Sequence, residues 1–123
     1  MGKTALVVDD SSTMRQMVTF TLTNAGFSVI EAEHGKEAVA KVSGGSRVDL
    51  VVTDLNMPEM DGIALIKELR KMATFKFTPI LMLTTESAVE KKQAGKEAGA
   101  TGWIVKPFNP ELLLKTIAKV LPA

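Results

Sequence analysis

The chain has 123 residues, 46% of them hydrophobic and 24% charged, a size and balance suited to one compact domain with a real core. The absence of Cys argues against a disulfide framework or thiolate metal site, and no apolar run approaches the roughly 20 residues that span a bilayer. Net charge is +1 with Lys and Arg scattered, so the basic stripe that nucleic-acid binding leaves is missing.

Taken together these features predict a single cytoplasmic domain over residues 1–123 that engages neither nucleic acid nor membrane. The opening Met1-Gly2-Lys3-Thr4-Ala5-Leu6 begins like a myristoylation site but carries Leu6 where Ser or Thr is required.

In chain order, Ala5-Leu6-Val7-Val8 is the first of several continuous apolar runs. A helical stripe follows at Met14, Met17, Val18, Leu22 and Ala25, with Ser11 or Ser12 as N-cap and Gly26 as stop. Ser28-Val29-Ile30 is a weaker strand, and a second helix over about residues 35–43 ends at Gly44-Gly45. Leu50-Val51-Val52 is the third strand. A third helix carries Ile63, Leu65, Ile66 and Leu69 and ends before Pro79. Ile80-Leu81-Met82-Leu83 precedes a fourth helix at about 87–98, rich in Ala, Lys and Glu, with few apolar anchors. Gly95 inside it costs about 1 kcal/mol relative to Ala, so this helix is expected to be loosely held. Trp103-Ile104-Val105 is the last strand. The final helix starts near Pro110, suited to a first helical position, and shows Leu113, Ile117 and Val120.

Because these runs do not alternate apolar with polar, they read as strands buried on both faces, the mark of a parallel sheet. Five strands alternating with five helices predict an α/β, (βα)5 doubly wound fold with right-handed crossovers. The flavodoxin-like strand order 2-1-3-4-5 is taken over from known folds of this class, in which ligands bind beyond the carboxyl ends of the strands.

At those ends stand Asp9-Asp10 after the first strand, Asp54 after the third, Thr84 after the fourth and Lys106 after the fifth. Converging carboxylates raise one another's pKa, and a hard divalent cation removes the penalty. A few carboxylates, a carbonyl, waters and a substrate phosphate is how Mg²⁺ is usually held, so Mg²⁺ is the expected ion. An aspartate can act as a covalent nucleophile toward phosphorus. Lys106 would supply a mobile point charge and Thr84 a hydroxyl donor for the phosphoryl oxygens. Taken singly, Asp9-Asp10 and Thr84 also fit helix caps and Lys106 a solvated turn.

The set Asp9-Asp10, Asp54, Thr84 and Lys106, with the run from Asp54 to Gly62 through Met57-Pro58 and with Lys106-Pro107-Phe108, resembles the receiver domains of two-component signalling. The likeness is closest to the single-domain chemotaxis regulators of the CheY type and covers the whole chain. The resemblance implies that Asp54 accepts phosphate from a sensor histidine kinase such as the chemotaxis kinase. It implies that Asp9, Asp10, Asp54 and the backbone carbonyl of Asn56 hold the metal, and that Thr84 and Lys106 bind the phosphoryl group. Lys106-Pro107 would be a cis peptide, and Asn56 and Glu86 would tune phosphate lifetime. Trp103 stands where the family places an aromatic that turns inward on activation, although a Trp in such a strand also serves as core or interface filler. It is bulkier than the usual Tyr or Phe. Thr85 stands where a small residue is common and would narrow access to the phosphate.

The expected output is contact with a partner such as the flagellar motor switch, by a monomer that catalyses nothing beyond its own phosphorylation and dephosphorylation. An auxiliary phosphatase is a further possible partner. A phosphorelay intermediate or phosphate sink is the alternative. A flavodoxin-type carrier is disfavoured because Asp9-Asp10 would repel a flavin phosphate and the chain has no Tyr. A phosphatase resembling the haloacid dehalogenases wants a second Asp where Asn56 stands. The intact acidic set disfavours a phosphate-independent pseudo-receiver. His34 reads as a surface turn residue, the seven Met residues as packing, and Lys91, Lys92 and Lys96 as a solvated helix face that could also rim a partner site.

Overall fold

The computed structural model describes residues 3–44, 47–55, 60–85, 89–106 and 109–121, with backbone alone at 85 and 89–91. The elements run β1 (Thr4–Val8), α1 (Ser12–Asn24), β2 (Ser28–Ala32), α2 (Gly35–Val42), β3 (Leu50–Asp54), α3 (Gly62–Arg70), a single 3₁₀ turn (Ala73–Phe75), β4 (Ile80–Thr85), α4 (Val89–Ala98), β5 (Gly102–Lys106) and α5 (Pro110–Val120). All neighbouring strands pair in parallel in the order β2-β1-β3-β4-β5, which is the 2-1-3-4-5 order expected. Among the described residues no helix is long and apolar enough to cross a membrane.

Side chains along a strand point alternately to opposite faces of the sheet. Leu6, Val8, Val51, Ile80 and Met82 meet Ala38 and Val42 of α2 and Leu65, Ile66 and Leu69 of α3 on one face. Ala5, Val7, Leu50, Val52, Leu81 and Leu83 meet Val18 and Leu22 of α1 and Leu113 and Ile117 of α5 on the other. With helices on both faces, polar residues have no solvated side to occupy, which is why these runs do not alternate. The edges behave differently. In β5 Ile104 is buried but Trp103 is 41% exposed, and β2 has only Ala32 buried. Burial on both faces thus holds for β1, β3 and β4 and fails for β5, because an edge strand has a partner on one side alone.

Local chemistry sets the helix starts. Ser11 Oγ accepts from Met14 N (3.3 Å), Asp61 Oδ1 from Ala64 N (2.8 Å) and Asn109 Oδ1 from Leu112 N (2.8 Å), with Pro110 in the first turn of α5. Each such cap contributes about 1 kcal/mol. His34, expected as a plain turn residue, caps α2: its Nδ1 accepts from Glu37 N (3.2 Å), and the Glu37 carboxylate accepts from Glu33 N.

Gly95 needs a correction as well. An added Cβ would overlap Sδ and Cε of the fully buried Met82, so glycine is what lets α4 lie against β4. Among the described side chains of α4 it is the one buried position, which fits a helix with few apolar anchors.

Candidate functional site: an acidic pocket at the strand ends

The topology places β1 and β3 side by side, with Val8 opposite Thr53, so Asp9 and Asp54 leave the sheet as neighbours. Asp9 is fully buried. Its backbone N–H donates to Ala32 O (3.1 Å), continuing the ladder to β2. Its carboxylate Oδ1 accepts from Ser11 N (2.9 Å), which turns the chain toward α1. Its other oxygen, Oδ2, has no hydrogen-bond partner among the described residues. Asp10 follows, exposed.

Asp54 is 7% exposed. Its Oδ1 accepts from Leu55 N (2.9 Å) and from Lys106 Nζ (3.0 Å). The register delivers this lysine: Thr85 pairs with Lys106 across β4 and β5, and Leu83 pairs with Asp54 across β3 and β4. Lys106 Nζ also stands 3.9 Å from Asp9 Oδ2, an ion pair too long for a hydrogen bond. Thr84, one residue beyond Leu83, is 2% exposed.

Asp9, Asp10 and Asp54 each offer an oxygen within 4.8 Å of the other two. Two of these three carboxylates, those of Asp9 and Asp54, lie 3.9 and 3.0 Å from the Lys106 ammonium. Burial pushes the Asp9 carboxyl above the ordinary carboxylate range, and the charges of Asp54 and Asp10 add to this. The Ser11 N–H and the Lys106 charge oppose it. Two features fit a hard cation: three convergent carboxylate oxygens, and a buried carboxylate oxygen with no hydrogen-bond partner among the described residues. Such an oxygen costs about 1–3 kcal/mol, more when charged, unless something binds it.

The structure brings together Asp9, Asp10, Asp54 and Lys106 and sets Thr84 beside them in the sheet. Trp103 lies elsewhere, on the β5 edge, with Lys92 Nζ 5.4 Å from its ring centroid. Lys92, expected on a solvated face, therefore covers an indole. Asn56, Glu86, Pro107 with the Lys106–Pro107 peptide, Met57-Pro58, Phe108 and the side chains of Thr85 and Lys91 lie outside the described residues.

Two residues of the site's framework escaped the sequence reading. At Gly62 an added Cβ would overlap the backbone oxygen of Asp54 and stand 2.9 Å from Leu55 Cα. Glycine there lets α3 start directly against the residue that carries the central carboxylate, and Gly62 N donates to Leu55 O (2.9 Å). The pair Asp61-Gly62, a cap followed by a glycine, is the signal that could have revealed it. The other is Arg15, whose Nη1 donates to the backbone carbonyl of Asp9 (2.7 Å); it is the one charged residue of α1.

Comparison with known proteins identifies the family and matches the fold. Residues 5–118 match the response regulator receiver domain family. The chain is 44% identical over 117 residues to the chemotaxis protein CheY1 of Helicobacter pylori (strain ATCC 700392 / 26695), covering 94% of each chain. It is also 44% identical to a chemotaxis protein CheY homolog of Campylobacter jejuni subsp. jejuni (serotype O:23/36, strain 81-176), covering 94% of this chain and 90% of the relative. Among solved structures, the chemotaxis response regulator CheY4 of Vibrio cholerae superposes with a TM-score of 0.91 at 54% identity, covering 98% of this chain and all of that one. The chain belongs to the response-regulator receiver family and is a homologue of the CheY chemotaxis regulators.

Proposed function

We propose that this receiver is a phospho-switch that takes a phosphoryl group onto Asp54, from the phosphohistidine of a sensor histidine kinase, with Mg²⁺ bound at Asp9, Asp10 and Asp54. The observation that carries the reading is the pocket itself: carboxylate oxygens of three aspartates within 4.8 Å, Asp9 Oδ2 buried with no hydrogen-bond partner among the described residues, and Lys106 Nζ 3.0 Å from Asp54 Oδ1. The names of its relatives support a place in chemotaxis, with the chemotaxis kinase as donor and the flagellar motor switch as target.

In the transfer, a carboxylate oxygen of Asp54 attacks phosphorus. A P–O bond forms, the P–N bond to the donor imidazole breaks, and the imidazole departs with the proton it carried as phosphohistidine. Mg²⁺, when bound, neutralises charge on the carboxylates and the phosphoryl oxygens, with the Asn56 carbonyl as a further ligand. Lys106, already on Asp54, follows the charge onto a phosphoryl oxygen, and the Thr84 hydroxyl donates to another. The new group adds about −1.5 to −2 charge. Thr84 and Lys106 move toward it, Trp103 leaves its outward place under Lys92 and turns in, and the β5–α4 face shifts toward the partner-binding state. Asn56 and Glu86 set how long the phosphate lasts.

Intact-mass spectrometry after incubation with acetyl phosphate tests this. A single phosphoryl adduct that requires both Mg²⁺ and Asp54, and is lost in Asp54→Asn, is the expected result. An adduct that persists in Asp54→Asn, or none in the wild type, refutes it.

A further inference from the structure

We propose that Arg15 is a positioning residue for the acidic pocket, holding the peptide between Asp9 and Asp10 in the orientation that lets their carboxylates meet a divalent cation. This rests on the reading of the pocket as a Mg²⁺ site.

The carbonyl of Asp9 belongs to the planar peptide unit that joins Asp9 to Asp10. One hydrogen bond to that oxygen therefore fixes a plane from which both acidic side chains depart. Arg15 Nη1 makes that bond at 2.7 Å, a short contact from a permanently charged donor. The Asp9 N–H on the other side is held by Ala32 O, so Asp9 is tied to the sheet through its N–H and to α1 through its carbonyl.

Arg15 is itself anchored. Its Nε donates to Glu31 Oε1 of β2 at 3.0 Å, and its side chain is 14% exposed. Arg15 N donates to Ser11 O (2.9 Å), which closes the first turn of α1 around the same loop. The Glu31 backbone carbonyl accepts from Lys41 Nζ of α2 (2.6 Å). The chain of contacts thus runs from α2 through β2 and the guanidinium to the peptide between the two acidic residues.

The two contacts use different nitrogens of one rigid fork, Nε toward the carboxylate and Nη1 toward the carbonyl. A lysine keeps the charge but cannot hold both partners in that geometry. This separates positioning from simple charge compensation. It also separates positioning from a plain helix–strand ion pair, which would support stability without touching metal affinity.

The test is calorimetric titration of the full chain with MgCl₂, for wild type, Arg15→Lys, Arg15→Gln and Glu31→Gln, beside urea unfolding of each in EDTA. Loss of a group that orients a metal ligand typically weakens metal binding about 10–100-fold. Arg15→Lys and Arg15→Gln are expected to raise the Mg²⁺ dissociation constant at least about tenfold, with Glu31→Gln between them and wild type. Folded Arg15→Lys with Mg²⁺ affinity within about twofold of wild type overturns the proposal, whatever its unfolding midpoint. If Arg15→Gln does not fold, Arg15→Lys and Glu31→Gln decide the matter by the same criterion. A wild type that takes up no Mg²⁺ is a separate result and overturns the reading of the pocket itself.

Discussion

Gly62→Ala joins the fold and the site in one perturbation. The new Cβ would overlap the carbonyl oxygen of Asp54 and lie 2.9 Å from Leu55 Cα and 3.1 Å from Asp54 C. All three obstacles are backbone, so no side-chain rotation relieves them, and the β3–α3 turn must open. Overpacking costs about 1–3 kcal/mol, and rigid backbone points to the upper half of that range. The intrinsic preference of helices for Ala over Gly returns at most about 1 kcal/mol, and less in a first turn. The expected net loss is about 2 kcal/mol, or roughly 8 °C in Tm for a domain of this size. Urea unfolding in EDTA reads it directly, with Gly44→Ala as control because no atom of the described residues lies within 4 Å of a Cβ there. The control is expected within about 0.5 kcal/mol of wild type. The turn that opens carries Asp54, so phosphorylation by acetyl phosphate under folding conditions is expected to slow by about 10–100-fold, the scale of a displacement near 1 Å. A Gly62→Ala midpoint that matches Gly44→Ala would show that the turn yields freely and would refute the reasoning.

Asp9→Asn tests the electrostatics of the pocket. The Asp9 carboxyl is raised above its ordinary value of 3.8, so its protonated form favours the fold. That contribution is complete below 3.8 and is lost as pH rises through the folded value. In EDTA the variant is therefore expected to gain on the wild type as pH climbs from about 4 toward neutrality, by on the order of 1 kcal/mol. The gain should vanish in millimolar Mg²⁺, and unfolding midpoints that differ by a constant amount at every pH would sink the idea. Gly95→Ala is expected to destabilise, by about 1 kcal/mol after allowing for the helix preference it gains, because its Cβ meets Met82. In a double-mutant cycle with Met82→Ala the two losses should fall short of additivity by at least about 0.5 kcal/mol; strict additivity would mean the two side chains do not compete for one space.

Much of this molecule is legible one residue at a time. Runs such as Leu50–Val52 and Ile80–Leu83 carry their burial in their composition, since a strand covered on both faces has no use for polar residues. The Ser11 cap and the helix-starting Pro110 act within a single turn, so they too can be read locally. The acidic residues at the strand ends were visible because strand direction puts every carboxyl end on one side of a parallel sheet. What lay beyond the sequence are the relations between segments far apart in the chain. Gly95 looks like a weak helix position until Met82, thirteen residues earlier, is seen beneath it. Gly62 looks like a helix start until the Asp54 carbonyl is seen against it. Trp103 sits in a run that reads as buried on both faces until it is found 41% exposed, its ring beside Lys92. Arg15 reads as an ordinary helix charge until its guanidinium is found on the Asp9 carbonyl. Sequence by itself determined the elements, their order of burial and the chemistry on offer, because those follow from side-chain type and periodicity. Tertiary structure alone decided which atoms touch, because close approach depends on where the backbone of one segment leaves room for another.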